Sequence, residues 1–500
     1  MKLEGAIDVT PTIAVLHTFN IQPFNFRLLK PYPSRTPSGN NLQPSNLQPS
    51  DNQPLRSLIA SKITAAPNQR ITFAEYMDLV LYHPEQGYYA TGAVKIGAGG
   101  DFFTSPYLGN DFGELLAEQF AEIWDILGRP KPFTLMEMGA GQGLLAADVL
   151  RYLYRQHPDC FDALEYIIVE KAAGLIAQQQ QLLQKLRLPT KDNARQLPLR
   201  WSSLEEIPEN SITGCCFSNE LVDALPVHQF ILEQGQLREI YVTISNREGV
   251  RSQESGVRRK GTVGFQFPDS SDPPLPREGN PKLSDASDDE IEFVEVTDAP
   301  STPRLSEYFD FLGIDLRSGA YPDGYRSEVN LAALDWLKTV ANRLRRGFLL
   351  TIDYGYSAQR YYQPARHQGT LQCYYRHRHH DNPYLYIGQQ DITAHVNFTA
   401  LERQGELCDL HKVGFTQQGL FLMALGLGDR IAALSSTDNA RGQAIAKAQD
   451  VMTIMQRREA LHQLMNPMGL GGFGVLVQSK NLTAQEEQHS LKGLSVPPML

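Results

Sequence analysis

The chain has 500 residues, 42% hydrophobic and 20% charged, with a formal net charge of -10 and a pI near 5.7. That length allows two or three average domains or one elaborated one, the hydrophobic share suits a folded core, and the acidic balance argues against nucleic acid as a partner. Cysteines 160, 215, 216, 373 and 408 are odd in number and lack metal-ligand spacing, which points to a reducing compartment rather than a disulfide framework. No run reaches about 18 uninterrupted apolar residues, so no direct membrane insertion is expected. The first residues lack a basic stretch followed by an apolar one. The expected location is therefore cytoplasmic, with an organellar home left open.

Residues 1–54 read as a disordered leader. Asn41–Ser45 and Asn46–Ser50 repeat the same NLQPS pentapeptide, and such a composition buries too little apolar surface to offset its ordering entropy. Residues 55–130 form an N-terminal helical extension, with helical spacing over Thr72–Tyr82 and Phe112–Leu127. From 131 to 246, strand-like and helix-like blocks alternate: Phe133–Met138, Leu144–Tyr154, Glu165–Glu170, Ala172–Lys185 and Gly214–Ser218. The strand-like run Gln229–Ser245 follows them. Residues 247–289, rich in Pro, Ser and Asp, read as a disordered insertion. The pattern resumes over 290–480, with a helix at Val329–Arg345, a strand at Gly347–Asp353, a helix near Ala440–Leu464 and a strand at Phe473–Gln478. Residues 481–500 read as a tail. Such alternation predicts an α/β fold with a mostly parallel sheet covered on both faces.

The chemistry concentrates in three places. The run FTLMEMGAGQGLL carries a strand into Glu137, Gly139, Gly141 and Gly143, then into a helix. Glycines there permit positive φ and close approach of a ligand. The third glycine comes one residue too early for a dinucleotide fingerprint, which disfavours an NAD-dependent oxidoreductase. S-adenosylmethionine (SAM) needs no pyrophosphate cradle, and Glu137 can help hold its ammonium group. Glu170 ends the next strand, where a carboxylate can accept bonds from both ribose hydroxyls. Asn219, Glu220 and Asp223 follow another strand, GCCF, read as the fourth of the sheet, at the end where the reactive part of such a ligand would lie. The Arg376–His380 run (RHRHH) reads as a solvated loop, and no metal is assigned.

These segments, with YHPEQGYY at Tyr82–Tyr89, GDFFTSP at Gly100–Pro106, FGELL at Phe112–Leu116, IDYGY at Ile352–Tyr356 and QDITAHVNFTAL at Gln390–Leu401, resemble the MidA-type family of SAM-dependent methyltransferases. That family includes a mitochondrial complex I assembly factor that methylates an arginine. The resemblance implies a class I (Rossmann-like) SAM-dependent methyltransferase sheet with an N-terminal helical extension and a helical insertion. It implies SAM contacts from Gly139, Gly141, Gly143 and Glu170, and a cofactor cover from Gly100, Asp101, Thr104, Ser105 and Pro106. Asn219, Glu220 and Asp223 would lie near the transferred methyl. The substrate would be a protein, with a subunit of an NADH-dehydrogenase-like complex as the natural suspect. Two stretches depart from the family pattern: Tyr107–Asp111, and Lys171-Ala172-Ala173 after Glu170.

A guanidinium stays protonated near neutral pH, so carboxylates must orient it and take its proton. Glu220 and Asp223 are the candidates, with Asp353 and His395 in reserve. Two other readings compete: a non-catalytic SAM-binding assembly factor and a small-molecule methyltransferase. Oligomeric state is not legible in the sequence.

Overall fold

The computed structural model describes residues 52–91, 104–186, 197–245, 291–376, 378–436 and 448–496. Residues 1–51 of the leader, Gly100 and Asp101, the whole 247–289 insertion and the start of the helix expected at 440–464 lie outside the described residues.

A seven-stranded sheet organises the rest. Its spatial order is His411–Gln417, Gly474–Lys480, Leu344–Asp353, Ile212–Asn219, Phe133–Met138, Leu164–Val169, Leu199–Ser202. Counted along the chain, the order is 6-7-5-4-1-2-3. The five strands from Leu344–Asp353 to Leu199–Ser202 are parallel, whereas Gly474–Lys480 runs antiparallel to both of its neighbours. The inner strands are buried on both faces, so they read as mostly apolar runs, whereas the edge strands His411–Gln417 and Leu199–Ser202 are exposed or half-buried. Phe133, Leu135, Cys215, Phe217, Phe348 and Leu350 enter one core, and Met136, Met138, Cys216 and Leu349 the other. The helices Asp111–Ile126 and Leu144–Gln156 cover the first face, and Leu331–Arg343 and Phe398–Glu406 the second.

A smaller antiparallel sheet joins Ile71–Thr72, Gln236–Ile244, His228–Glu233 and Arg326–Val329, with Phe293–Asp298 paired on Gln236–Ile244. The single run expected over Gln229–Ser245 is therefore two strands. Gln234 and Gly235 take φ of 52° and 72° between them, the two positive values a tight hairpin turn requires. The insertion leaves this sheet at a matched pair of strand ends: Ile244 faces Phe293, and Ser245 N–H donates to the Glu292 carbonyl at 2.8 Å. The helices Gln53–Ala65 and Phe73–Tyr82 pack on this sheet through Leu55, Ile59, Ile63, Tyr76, Met77 and Val80. Thr72 and Glu75 cap the second helix reciprocally, so both partners satisfy an otherwise orphaned N–H.

Three further expectations need correction. The first helix begins at Gln53, inside the segment taken as leader. Arg378–His380 is a strand paired with Gln372–Tyr375, not a free loop, because Cys373 anchors the hairpin in the core; His377 lies outside the described residues. Residues 481–500 are not a plain tail. They form the helix Ala484–Glu487 and a turn at Lys492–Leu494, and Leu491 is buried in the main core. The five cysteines are unpaired. No helix among the described residues is long and apolar enough to cross a membrane.

Candidate functional site

The order of parallel strands reverses between Phe133–Met138 and Ile212–Asn219, and ligands of open α/β sheets bind outside the carboxyl ends of strands at such a point. A cavity of about 800 Å³, including its open mouth, lies there. Its floor is the glycine turn. Gly139, Gly141 and Gly143 have φ of 71°, 53° and 84°, a region that favours glycine. A Cβ on Gly139 would sit 2.7 Å from Leu221 Cδ1, so that turn and the one carrying Glu220 touch directly. Gly143 caps the helix Leu144–Gln156, and its N–H donates to the Ala140 carbonyl at 2.8 Å.

Glu170 lies at one end of the cavity. Its Oε1 accepts from Lys171 N–H at 2.9 Å and Ala172 N–H at 3.0 Å, and its Oε2 from Gln179 Nε2 at 3.2 Å. Burial raises its pKa against these bonds. Gln179, fully buried, also donates to the Gly141 carbonyl at 2.8 Å and accepts from Trp201 Nε1 at 2.9 Å. One side chain thus ties the glycine turn to the acid. Glu137, 3% exposed, accepts from the Tyr166 hydroxyl at 2.6 Å, and burial pushes its pKa up to about 7.

Glu220 stands at the other end, on a residue with φ of 52°. Its Oε1 accepts from Asn219 Nδ2 at 2.9 Å and from Ser105 N–H at 3.2 Å. Burial and then the nearby Asp223 raise its pKa to about 8. Ser105 is held from behind by Gln418, whose Nε2 donates to its Oγ at 3.0 Å. Asp223, near Glu220, is 5% exposed; burial pushes its pKa up to about 6, although a hydrogen bond from the Tyr354 hydroxyl lowers it.

Of the expected residues, the structure brings Thr104, Pro106, Glu137, Gly139, Gly141, Glu170, Asn219 and Glu220 to the cavity wall. Ser105, Gly143 and Asp223 support that wall. Asp353 is completely buried. His395 stacks on Tyr356 at 4.9 Å, and its pKa falls to about 4 through burial and then Arg366, so its ring is neutral near pH 7.

Sequence reasoning assigned no role to Tyr82, Tyr89, Tyr107, Leu175 or Leu221, which also line the cavity. Gln179 was missed as well; the signal was its spacing with Leu175 and Leu183, four residues to either side on one helix face. Of the departures from the family pattern, Tyr107 faces the cavity, whereas Asp111 pairs with Arg430 and Arg457 at 2.7 Å and joins helices. Among the described residues no group of three or more His, Cys, Asp or Glu is placed to hold a metal.

Comparison with known proteins agrees with this geometry. The profile of the Methyltransf_28 family, S-adenosyl-L-methionine-dependent methyltransferases, matches residues 115–416, more than half of the chain. A Drosophila melanogaster protein named mitochondrial protein arginine methyltransferase NDUFAF7 homolog is 27% identical over 71% of both chains. Its Rattus norvegicus counterpart is 28% identical over 80% of this chain and 79% of its own. A crystal structure of a COG1565 superfamily member from Burkholderia thailandensis, bound to S-adenosyl-homocysteine, superposes with a TM-score of 0.66 at 27% identity. It covers 88% of this chain and 94% of that one.

Proposed function

Since the chain belongs to the Methyltransf_28 family of SAM-dependent methyltransferases, we propose that the cavity between Glu170 and Glu220 holds SAM, and that Glu220 receives the guanidinium of an arginine in a protein substrate. The observation that carries this reading is the placement of two carboxylates at opposite ends of one cavity floored by left-handed glycines. The sheet order fits the class I (Rossmann-like) arrangement.

The residues present suit SAM. Glu170 keeps lone pairs for a ribose diol, and its orientation is held by Gln179 and two backbone N–H groups. Leu144, Leu145, Leu175 and Leu221 give an apolar lining for adenine, and Glu137 adds negative charge beside the glycine turn. Thr104 and Pro106 close one side, with Gly100 and Asp101 proposed to extend that cover. SAM supplies an electrophilic methyl group on a sulfonium.

The protein's task is orientation and charge matching. Asn219 and Ser105 aim Glu220. As the new N–C bond forms and the C–S bond breaks, the proton lost from the guanidinium passes to the Glu220 carboxylate. Asp223 adds negative charge nearby. At neutral pH Glu220 is largely protonated in the free protein, so kcat/KM rises with pH toward about 8 and beyond, as its basic form grows.

The relatives' names support arginine as acceptor and a mitochondrial location, which favours the organellar home over the cytoplasmic one. A subunit of an NADH-dehydrogenase-like complex is the proposed partner. A small-molecule acceptor would instead leave protein fractions unlabelled. Calorimetry with SAM, comparing wild type and Gly141→Val, tests the cofactor site. Wild type binds, and a folded G141V variant does not, because a β-branched residue is strained at φ of 53°. No binding by folded wild type sinks the proposal.

A further inference from the structure

The turn carrying Glu220 and Asp223 leaves the sheet and includes a single 3-10 turn, Val222–Ala224, and much of its backbone is held by other elements. Glu220 N–H donates to the Ile352 carbonyl at 2.9 Å, and Ala394 N–H to the Asp223 carbonyl at 2.9 Å. Asn330 Nδ2 donates to the Val222 carbonyl at 3.2 Å, and the Tyr82 hydroxyl to the Ala224 carbonyl at 2.9 Å. Two further donors, Val222 N–H and Asp223 N–H, reach one acceptor, Asp353 Oδ2, at 2.9 and 3.3 Å, while Ala224 N–H and Leu225 N–H donate within the turn to the Leu221 and Val222 carbonyls at 3.3 Å. Asp353 Oδ1 accepts from Tyr354 N–H at 2.8 Å. Asp353 is 0% exposed, and its carboxylate accepts these three bonds from backbone N–H groups.

We infer that Asp353 is a positioning residue: it draws the Val222–Asp223 backbone onto the end of the Leu344–Asp353 strand and thereby aims Glu220 at the acceptor. Three facts support this role over direct contact with substrate. Asp353 is shut away from the cavity. Its two oxygens accept from backbone donors on both sides, against burial and then the Asp223 and Glu220 carboxyls, which raise its pKa; an amide cannot repeat this, since one end of an amide is itself a donor. The supported turn includes a non-glycine residue at φ of 52°, a conformation that persists only where its surroundings over-determine it.

The inference rests on Glu220 as the acceptor-binding carboxylate, so the test separates the two ideas. Asp353→Asn is compared with wild type in three measurements. The first is hydrogen–deuterium exchange of the Leu221–Leu225 peptide, which needs no acceptor. The second is S-adenosyl-homocysteine binding. The third is transfer of labelled methyl from SAM into extract from cells lacking this protein, followed against SAM concentration. The expected result is faster exchange confined to the turn, S-adenosyl-homocysteine affinity within about twofold of wild type, and an unchanged KM for SAM. The transfer rate falls on the order of 100-fold, the scale of a 1 Å misplacement. Unchanged exchange in the turn, an unchanged rate, or a D353N protein that does not fold overturns the inference. If wild type transfers no methyl to the extract, the acceptor reading fails, and exchange in the turn alone decides the role of Asp353.

Discussion

Glu220 is a residue whose function and whose effect on stability oppose each other. Its carboxyl titrates near 8 in the folded protein, against a reference of 4.5. Between those values the folded state holds a proton that the unfolded state has released, so stability falls as pH rises through that window and stays reduced above it. Glu220→Gln removes the penalty. Its melting temperature at pH 9 should exceed that of wild type by about one degree, the shift that roughly 1 kcal/mol makes in a chain of this size. The two should converge near pH 4. The same variant should bind SAM normally and lose about 100-fold or more in methyl transfer. A melting curve equal to wild type at pH 9 would show that the carboxyl is not held out of water. At this scale the glycines and Glu170 were legible because each follows an apolar strand within a few residues. Gln179 was not, because it stands in a run of four glutamines and only packing distinguishes it from its neighbours.

The elements around the cavity work as clamps, and the Ala173–Gln184 helix shows how. Leu175 and Leu183 dock it, and Gln179 projects from the same stripe to hold the glycine turn, Glu170 and Trp201 together. Gln179→Ala leaves the Trp201 N–H without its acceptor and the Gly141 carbonyl without its donor, at about 1–3 kcal/mol. Chemical denaturation should show that loss, and calorimetry a SAM affinity weaker by roughly tenfold. Stability equal to wild type would mean that water replaces the amide. Elements with strong apolar periodicity were readable: Phe133–Met138 has the bounds expected, and the Leu144 and Ala173 helices begin within a residue of expectation. The Gln234-Gly235 hairpin was hidden because a positive φ at glutamine has no signature. The Arg378–His380 strand was hidden because it is polar and its anchor, Cys373, belongs to the neighbouring strand.

At the scale of the whole molecule, two long-range arrangements matter. The first is the closure of the small sheet around the 246–291 stretch, with Ser245 and Glu292 already bonded. Loop-closure entropy grows only slowly with length, and the strand ends meet whatever lies between them. Replacing 246–291 with a two-residue Asn-Gly turn should therefore leave thermal stability and SAM affinity near wild type. A collapse in either would show that this stretch belongs to the fold. Composition marked it as an insertion, but nothing in the sequence showed that its two flanks are partners.

The second arrangement is the reach of the first hundred described residues. The Tyr76 hydroxyl donates to the Pro383 carbonyl, Tyr89 to Asp391, and Asp111 pairs with Arg457; these contacts span 307, 302 and 346 residues of chain. On a ribosome the N-terminal extension emerges first and is completed last. Contacts of such separation cannot form until most of the polypeptide has been made. Tyr82, which lines the cavity and holds Ala224, belongs to that extension. The protein therefore becomes a methyltransferase only at the end of its own synthesis, and a nascent chain stalled before residue 383 carries a glycine turn without a finished site around it.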